Sequence, residues 1–196
     1  AGFWIDTYEK HGIEKSLITA VDLAPSNIAN LKERGFKGIC GNILDLTIED
    51  NSSDFTVCNG VIHHTEDSFR AFSELVRITR QNGSIFLNVY NKFNPYFYFV
   101  HRATFPIRWL YWNGNKNILD FVLPVASLLF QPLSFFVFGK FLDKKTARTM
   151  FMDQVITPKA ELFSKADIRS YSDRCNCEVK RFRYNKYYTM ISAIIK

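Results

Sequence analysis

The feature that most constrains the fold is an alternation across the first ninety residues, in which short apolar runs are separated by amphipathic stretches. That pattern is the signature of a parallel α/β sheet. Residues 3–11 read as a helix closed by Gly12, and 17–22 as a buried strand. Residues 25–34 read as a helix with Pro25 at its start and Gly35 just past its end, the expected asymmetry of helix termini. Short strands follow at 38–40 and 54–59. The 68–80 helix places Phe69, Phe72, Leu75 and Val76 on one side, and Asn82-Gly83 turns the chain into a further strand at 84–90.

The alternation breaks at residues 93–150, which are aromatic, helix-like and punctuated by Pro95, Pro106, Pro124 and Pro132. Between Lys92 and Met150 there are eight Lys or Arg against two acids, Asp120 and Asp143, so this segment carries the whole net charge of +6. It also holds fifteen of the 31 aromatic residues. Basic charge mixed with Phe, Trp and Tyr does not look like a nucleic-acid patch. It suits a membrane-interface surface or an apolar substrate cover with a cationic rim. The uncharged run 121–139 touches the lower length limit of a membrane span, but its two prolines, its Gln and its two Ser argue against spanning.

The α/β pattern returns after Thr157-Pro158, with Ser164 placed to cap a helix and Asp167 at its N3 position. Two closing strands are expected at 177–184 and 188–195. The 196 residues read as a single domain with 93–150 as one large insertion. No signal peptide is visible. Cys40 and Cys58 lie in strand-like runs and read as small buried thiols, and Cys175 and Cys177 are too few for zinc, so no metal is expected. A reducing, cytoplasmic location is the default.

An acid at the C-terminal tip of a buried strand can hold a ribose diol, and Asp22 stands there, about twenty residues after Gly2. A helix-capping Asp before Ala24-Pro25 would look identical. The wider order of motifs resembles the class I S-adenosylmethionine-dependent methyltransferases, above all those acting on small molecules. The block Val21-Asp-Leu-Ala-Pro-Ser26 resembles that family's second strand with its acidic ribose ligand, which makes Asp22 and Leu23 cofactor-binding candidates. Gly41-Asn-Ile-Leu-Asp-Leu46 resembles the loop that cups the adenine. Residues 55–64 resemble the fourth strand and the loop under the methionine moiety, and Gln81-Asn-Gly83 with 85–90 resembles the turn and fifth strand.

The resemblance implies a Rossmann-like, mostly parallel sheet with flanking helices, an antiparallel final strand and a helical insertion after the fifth strand. It implies S-adenosyl-L-methionine as cofactor, held by Gly2, Asp22, Leu23, Asn42, Ile43, Asn59 and Gly60. Asn42 stands where the family usually has Asp, and a side chain at Gly60 is expected to clash with the cofactor. Only Ala1-Gly2 matches the family's glycine-rich loop. The first, central strand is therefore expected to be missing, with residues upstream of Ala1 in the intact protein and poor cofactor binding by the chain as written.

His63 and His64 are the candidate catalytic residues, one lining the active site as a substrate-orienting group or general base and the other packing or capping the next helix; a purely structural role for both is the alternative. On an extended segment their side chains point opposite ways, which argues against a shared metal ion. The leading function is methyl transfer to an O, N or C atom of a hydrophobic small molecule, with 93–150 as a lid or peripheral membrane contact; a dimer surface or core-extending helix pair is the other reading of that segment. The alternatives are a methyltransferase-like interaction module without turnover and a nicotinamide-dependent oxidoreductase. No Tyr-x-x-x-Lys accompanies the fold, which removes the commonest version of the latter. The acceptor and the oligomeric state are not legible.

Overall fold

The computed structural model describes residues 3–94, 102–114, 141, 143–152, 156–157, 160–185 and 190–196. Helix α1 (Phe3–Lys10) ends as expected, with Gly12 in the left-handed region at φ 73°. Strand β1 (Thr19–Asp22) pairs in parallel with β2 (Lys37–Cys40), and α2 (Pro25–Glu33) crosses between them. Ile28 and Leu31 of α2 bury against Ile5 and Phe36, with Ile18 and Ala20 packed alongside. The buried strand expected at 17–22 differs from this. Residues 15–17 form a 3-10 turn, Leu17 is 77% exposed, and no β1 residue is fully buried. With one strand neighbour and α2 as its cover, β1 lies at a sheet edge rather than in its centre.

The second sheet has the order β3-β4-β6-β5. Strand β3 (Ser53–Asn59) pairs in parallel with β4 (Thr79–Tyr90). Strand β6 (Met190–Ile195) lies antiparallel to β4 and to β5 (Val179–Tyr184). Between Ser53 and Phe55 the register jumps from Thr79 to Ser84, so residues 80–83 bulge out of the ladder. This bulge is the turn read at Asn82-Gly83. Asn82 sits at φ 67°, and a Cβ on Gly83 would lie 2.7 Å from Thr79 Cγ2 and 2.8 Å from the Arg80 carbonyl oxygen, so only glycine fits.

Alternate residues of the two central strands, Ile85, Leu87 and Val89 with Ile191, Ala193 and Ile195, are buried. Helix α3 (Ser68–Ile78) covers them with Ala71, Phe72 and Leu75, and α6 (Lys165–Arg174) with Ile168. Tyr171 of α6 packs against the rings of Phe69, Phe72 and Phe163, which joins the two helices. Ser164 and Asp167 form the expected reciprocal cap of α6. Among the described residues no strand pairs with both sheets, so the strands divide into a two-stranded and a four-stranded sheet.

Of the 93–150 segment, α4 (Phe105–Asn113) and α5 (Lys144–Phe151) are described; the apolar run 121–139 lies outside the described residues. Among the described residues no helix is long and apolar enough to cross a membrane.

Candidate functional site

The candidate residues gather at the C-terminal ends of the parallel strands, the side on which open α/β sheets bind ligands. Asp22 ends β1, half-buried. One carboxylate oxygen accepts the Ala24 amide at 2.8 Å and the other the Asn27 side-chain amide at 2.9 Å. Both readings of this residue are thus served. It organises the entry to α2, and because each carboxylate oxygen accepts two hydrogen bonds, each keeps one acceptor position for a ribose hydroxyl. Leu23 follows at 70% exposure.

The Gly41 amide donates to the Asp22 carbonyl at 3.1 Å, which sets the next loop beside the acid. Asn42 is exposed, and its side-chain oxygen accepts the Leu44 amide at 3.0 Å. That short turn leaves Ile43 and Leu44 packed against the main core. Arg77 of α3, absent from the sequence candidates, holds the rest of the loop. Its guanidinium donates to the carbonyls of Leu46 and Ile48 at 2.8 Å each, and to Asp50 and Glu74. Glu74 accepts the Leu46 amide at 2.8 Å, and the hydrogen bond from Arg77 holds its carboxyl below the ordinary range. Arg70 donates to the Leu44 carbonyl at 2.8 Å. The sequence signal for these three was only their place on the polar side of an amphipathic helix, which a solvated face shows equally.

At the tip of β3, Asn59 accepts a 2.5 Å hydrogen bond from Asn88, which in turn accepts one from Ser192 at 3.0 Å. Gly60 has φ 74°, and among the described residues, its chain neighbours aside, a Cβ would meet only His63 Cε1, 4.0 Å away. The glycine is therefore required by its backbone conformation, and the space over it is open on the protein side. Gly2 lies outside the described residues.

The histidines depart from their expected geometry. Residues 62–64 form a 3-10 turn rather than an extended segment, so the rings converge. His63 and His64 meet edge to face at 4.2 Å, and both contact Tyr90 at the end of β4, at 4.1 and 5.6 Å. His63 is 1% exposed and stacked on Tyr90, which places it in the core, while His64 is half-buried. Among the described residues no group of three metal-ligating side chains forms. The thiols also divide. Cys58 is buried, which pushes its pKa up to about 11, but Cys40, expected to be buried, is exposed because it ends the edge strand β2.

A strand-tip acid, an adjoining loop and a glycine in the left-handed region thus stand at the C-terminal ends of the described parallel strands. Residues 1–87 match the methyltransferase domain family. No curated protein sequence matches the chain. Among solved structures it is similar to a SAM-dependent methyltransferase from Thermotoga maritima (12% identity, TM-score 0.52, covering 89% of this chain and 70% of that one). It is also similar to one from Mesorhizobium loti (9%, TM-score 0.58, 99% and 85%) and one from Aquifex aeolicus (11%, TM-score 0.55, 99% and 76%). At these identities the likeness speaks for the fold alone.

Proposed function

We propose that this enzyme transfers the methyl group of S-adenosylmethionine to an O, N or C atom of a small molecule with a large hydrophobic part. The cofactor supplies an activated methyl on a sulfonium centre. On this reading Asp22 accepts the ribose hydroxyls, the Asn42–Ile43 turn faces the adenine, and Asn59–Gly60 passes beneath the methionine end. Positioning for in-line attack supplies most of the rate, since a good nucleophile needs little acid–base help. His64 is the better placed of the two histidines to orient an acceptor, because His63 is enclosed. The four free cysteines accord with a cytoplasmic setting.

The observation that carries the cofactor assignment is Asp22, an acid at a strand tip with unused acceptor capacity beside the Gly41 amide. The hydrophobic acceptor rests on helix α4. Trp112 Nε1 donates to the Ile156 carbonyl at 2.8 Å, and a few residues on, the Glu161 amide donates to the His63 carbonyl at 2.8 Å. An apolar helix is thereby tethered to the segment that borders the site.

Calorimetric titration with S-adenosylhomocysteine tests the assignment. Asp22→Ala is expected to lose about 2–4 kcal/mol of binding, the range for losing charge-assisted hydrogen bonds. Unchanged affinity in a variant with the parent's circular dichroism would remove Asp22 from the site. Methyl-tritiated cofactor should deliver label to an organic-phase product; label confined to the aqueous phase would overturn the hydrophobic acceptor.

A further inference from the structure

Helix α4 is built inside out. Phe105, Ile107, Trp109, Leu110 and Trp112 are each at least 40% exposed, while Arg108 is 6% exposed and donates to Thr104 Oγ1 at 3.0 Å. A helix on a water-facing protein surface normally does the reverse. Phe105, Pro106, Trp109 and Leu110 line one open, wholly apolar depression on the helix surface. The indole N–H of Trp112 is taken by the Ile156 carbonyl, so what this residue offers outward is its apolar ring. Contiguous apolar surface of this kind marks an interaction site.

We infer that α4 docks on an anionic lipid surface, inserting Phe105, Trp109 and Leu110 at the level of the headgroups. Charge selects this occupant. Beside the helix Lys92 and Arg102 are exposed, and residues 92–119 hold no acid, while the buried Arg108 adds nothing to the surface charge. A second copy of the chain would bring like charges together at an interface between two such helices, whereas acidic headgroups complement them. Trp and Phe beside basic residues are the composition of helices that lie in the interface plane. Because α4 is tethered through Ile156 to the segment beside His63, docking sets the candidate site against the membrane, where a hydrophobic acceptor is dissolved. The docking itself requires no methyl transfer, so it stands or falls apart from the catalytic reading.

The test is co-sedimentation of the full chain with vesicles of phosphatidylcholine alone and of phosphatidylcholine with phosphatidylserine, without cofactor. The chain should pellet with the phosphatidylserine vesicles and be released as salt rises, because exposed charges are screened within about 10 Å at 0.1 M. The double variant Trp109→Ala/Leu110→Ala should partition at least about tenfold less, the loss expected from removing two apolar anchors. Both side chains are exposed, so its thermal melt should match the parent's. Equal partitioning to both vesicle types, or no loss in the double variant, would overturn the proposal. So would a dimer in light scattering that the double variant dissolves, which assigns the face to a second copy. Hydrogen exchange showing 105–113 already protected in water would assign its cover to this chain.

Discussion

The two sheets are made from the same kind of βα unit yet are held differently. Among the described residues the β3-β4-β6-β5 sheet has two central strands, a core of thirteen buried residues and two helices joined by Tyr171. The β1-β2 sheet has two edge strands, a core of four buried residues among those described, and α2. Apolar burial is the dominant stabilising contribution and scales with area, so the larger sheet supplies most of the stability. The smaller one carries Asp22 and the Asn42 loop. Half the candidate site thus sits on the less secured region, and its position depends on what ties that region to the rest. Local stability is expected to differ across the molecule in the same way.

Truncating one phenylalanine in each core is the strongest way to break this comparison. Phe72 is completely buried in the large core, and Phe72→Ala should cost about 3–5 kcal/mol and lower the melting transition of the whole chain. Phe36 is also buried, with Lys15 and Arg34 over its ring at 5.0 and 5.4 Å. Phe36→Ala should open β1 and β2 to hydrogen exchange while the amides of Leu87, Val89 and Ile191 keep their protection. Simultaneous loss of protection in both sheets would mean that they form one cooperative unit.

The next effect concerns the tie itself. Arg77→Met keeps an apolar stem but removes the donors to Leu46, Ile48, Asp50 and Glu74, and should cost about 2–3 kcal/mol. The pH dependence follows from Glu74, whose carboxyl is held below its ordinary value chiefly by the hydrogen bond from Arg77. A lowered folded-state pKa contributes stability above the unfolded pKa, and that contribution is lost as pH falls through the folded one. The parent should therefore weaken on acidification from about pH 5 downward, and Arg77→Met should weaken less steeply there. Parallel curves of denaturation midpoint against pH would show that the pair does not secure the loop.

Much of this was legible because it depends on local rules. Gly12 and Gly35 past helix ends, the Ser164–Asp167 cap and the period-two burial of β4 are written in adjacent residues. The exposure of Leu17 and Cys40 was not, since an apolar run reads the same at a sheet edge and at its centre; only the partner strands decide. The histidine pair misled for a similar reason. Opposite directions follow from an extended backbone, whereas the 3-10 turn at 62–64 brings both rings to Tyr90. Arg77 stayed hidden because its partners are backbone carbonyls 29 and 31 residues away, which no side-chain pattern records.

The smallest expected effect is the most discriminating, and it lies at Gly60. Its φ of 74° costs an L-residue about 1–2 kcal/mol, less for Asn, which tolerates the left-handed region. Among the described residues, its chain neighbours aside, no atom comes nearer than 4.0 Å to a Cβ built there, so strain rather than collision sets the cost. Fold stability should accordingly run Gly60, then Gly60→Asn, then Gly60→Ala. If the cofactor passes over this position, affinity follows side-chain volume instead and should run Gly60, then Gly60→Ala, then Gly60→Asn. Thermal melts and calorimetric titrations with S-adenosylhomocysteine on the three proteins give the two rankings independently. Crossed rankings place the cofactor over Gly60. Parallel rankings reduce Gly60 to a strand-ending turn, and would leave the cofactor-binding role to the half of the site carried by the smaller sheet.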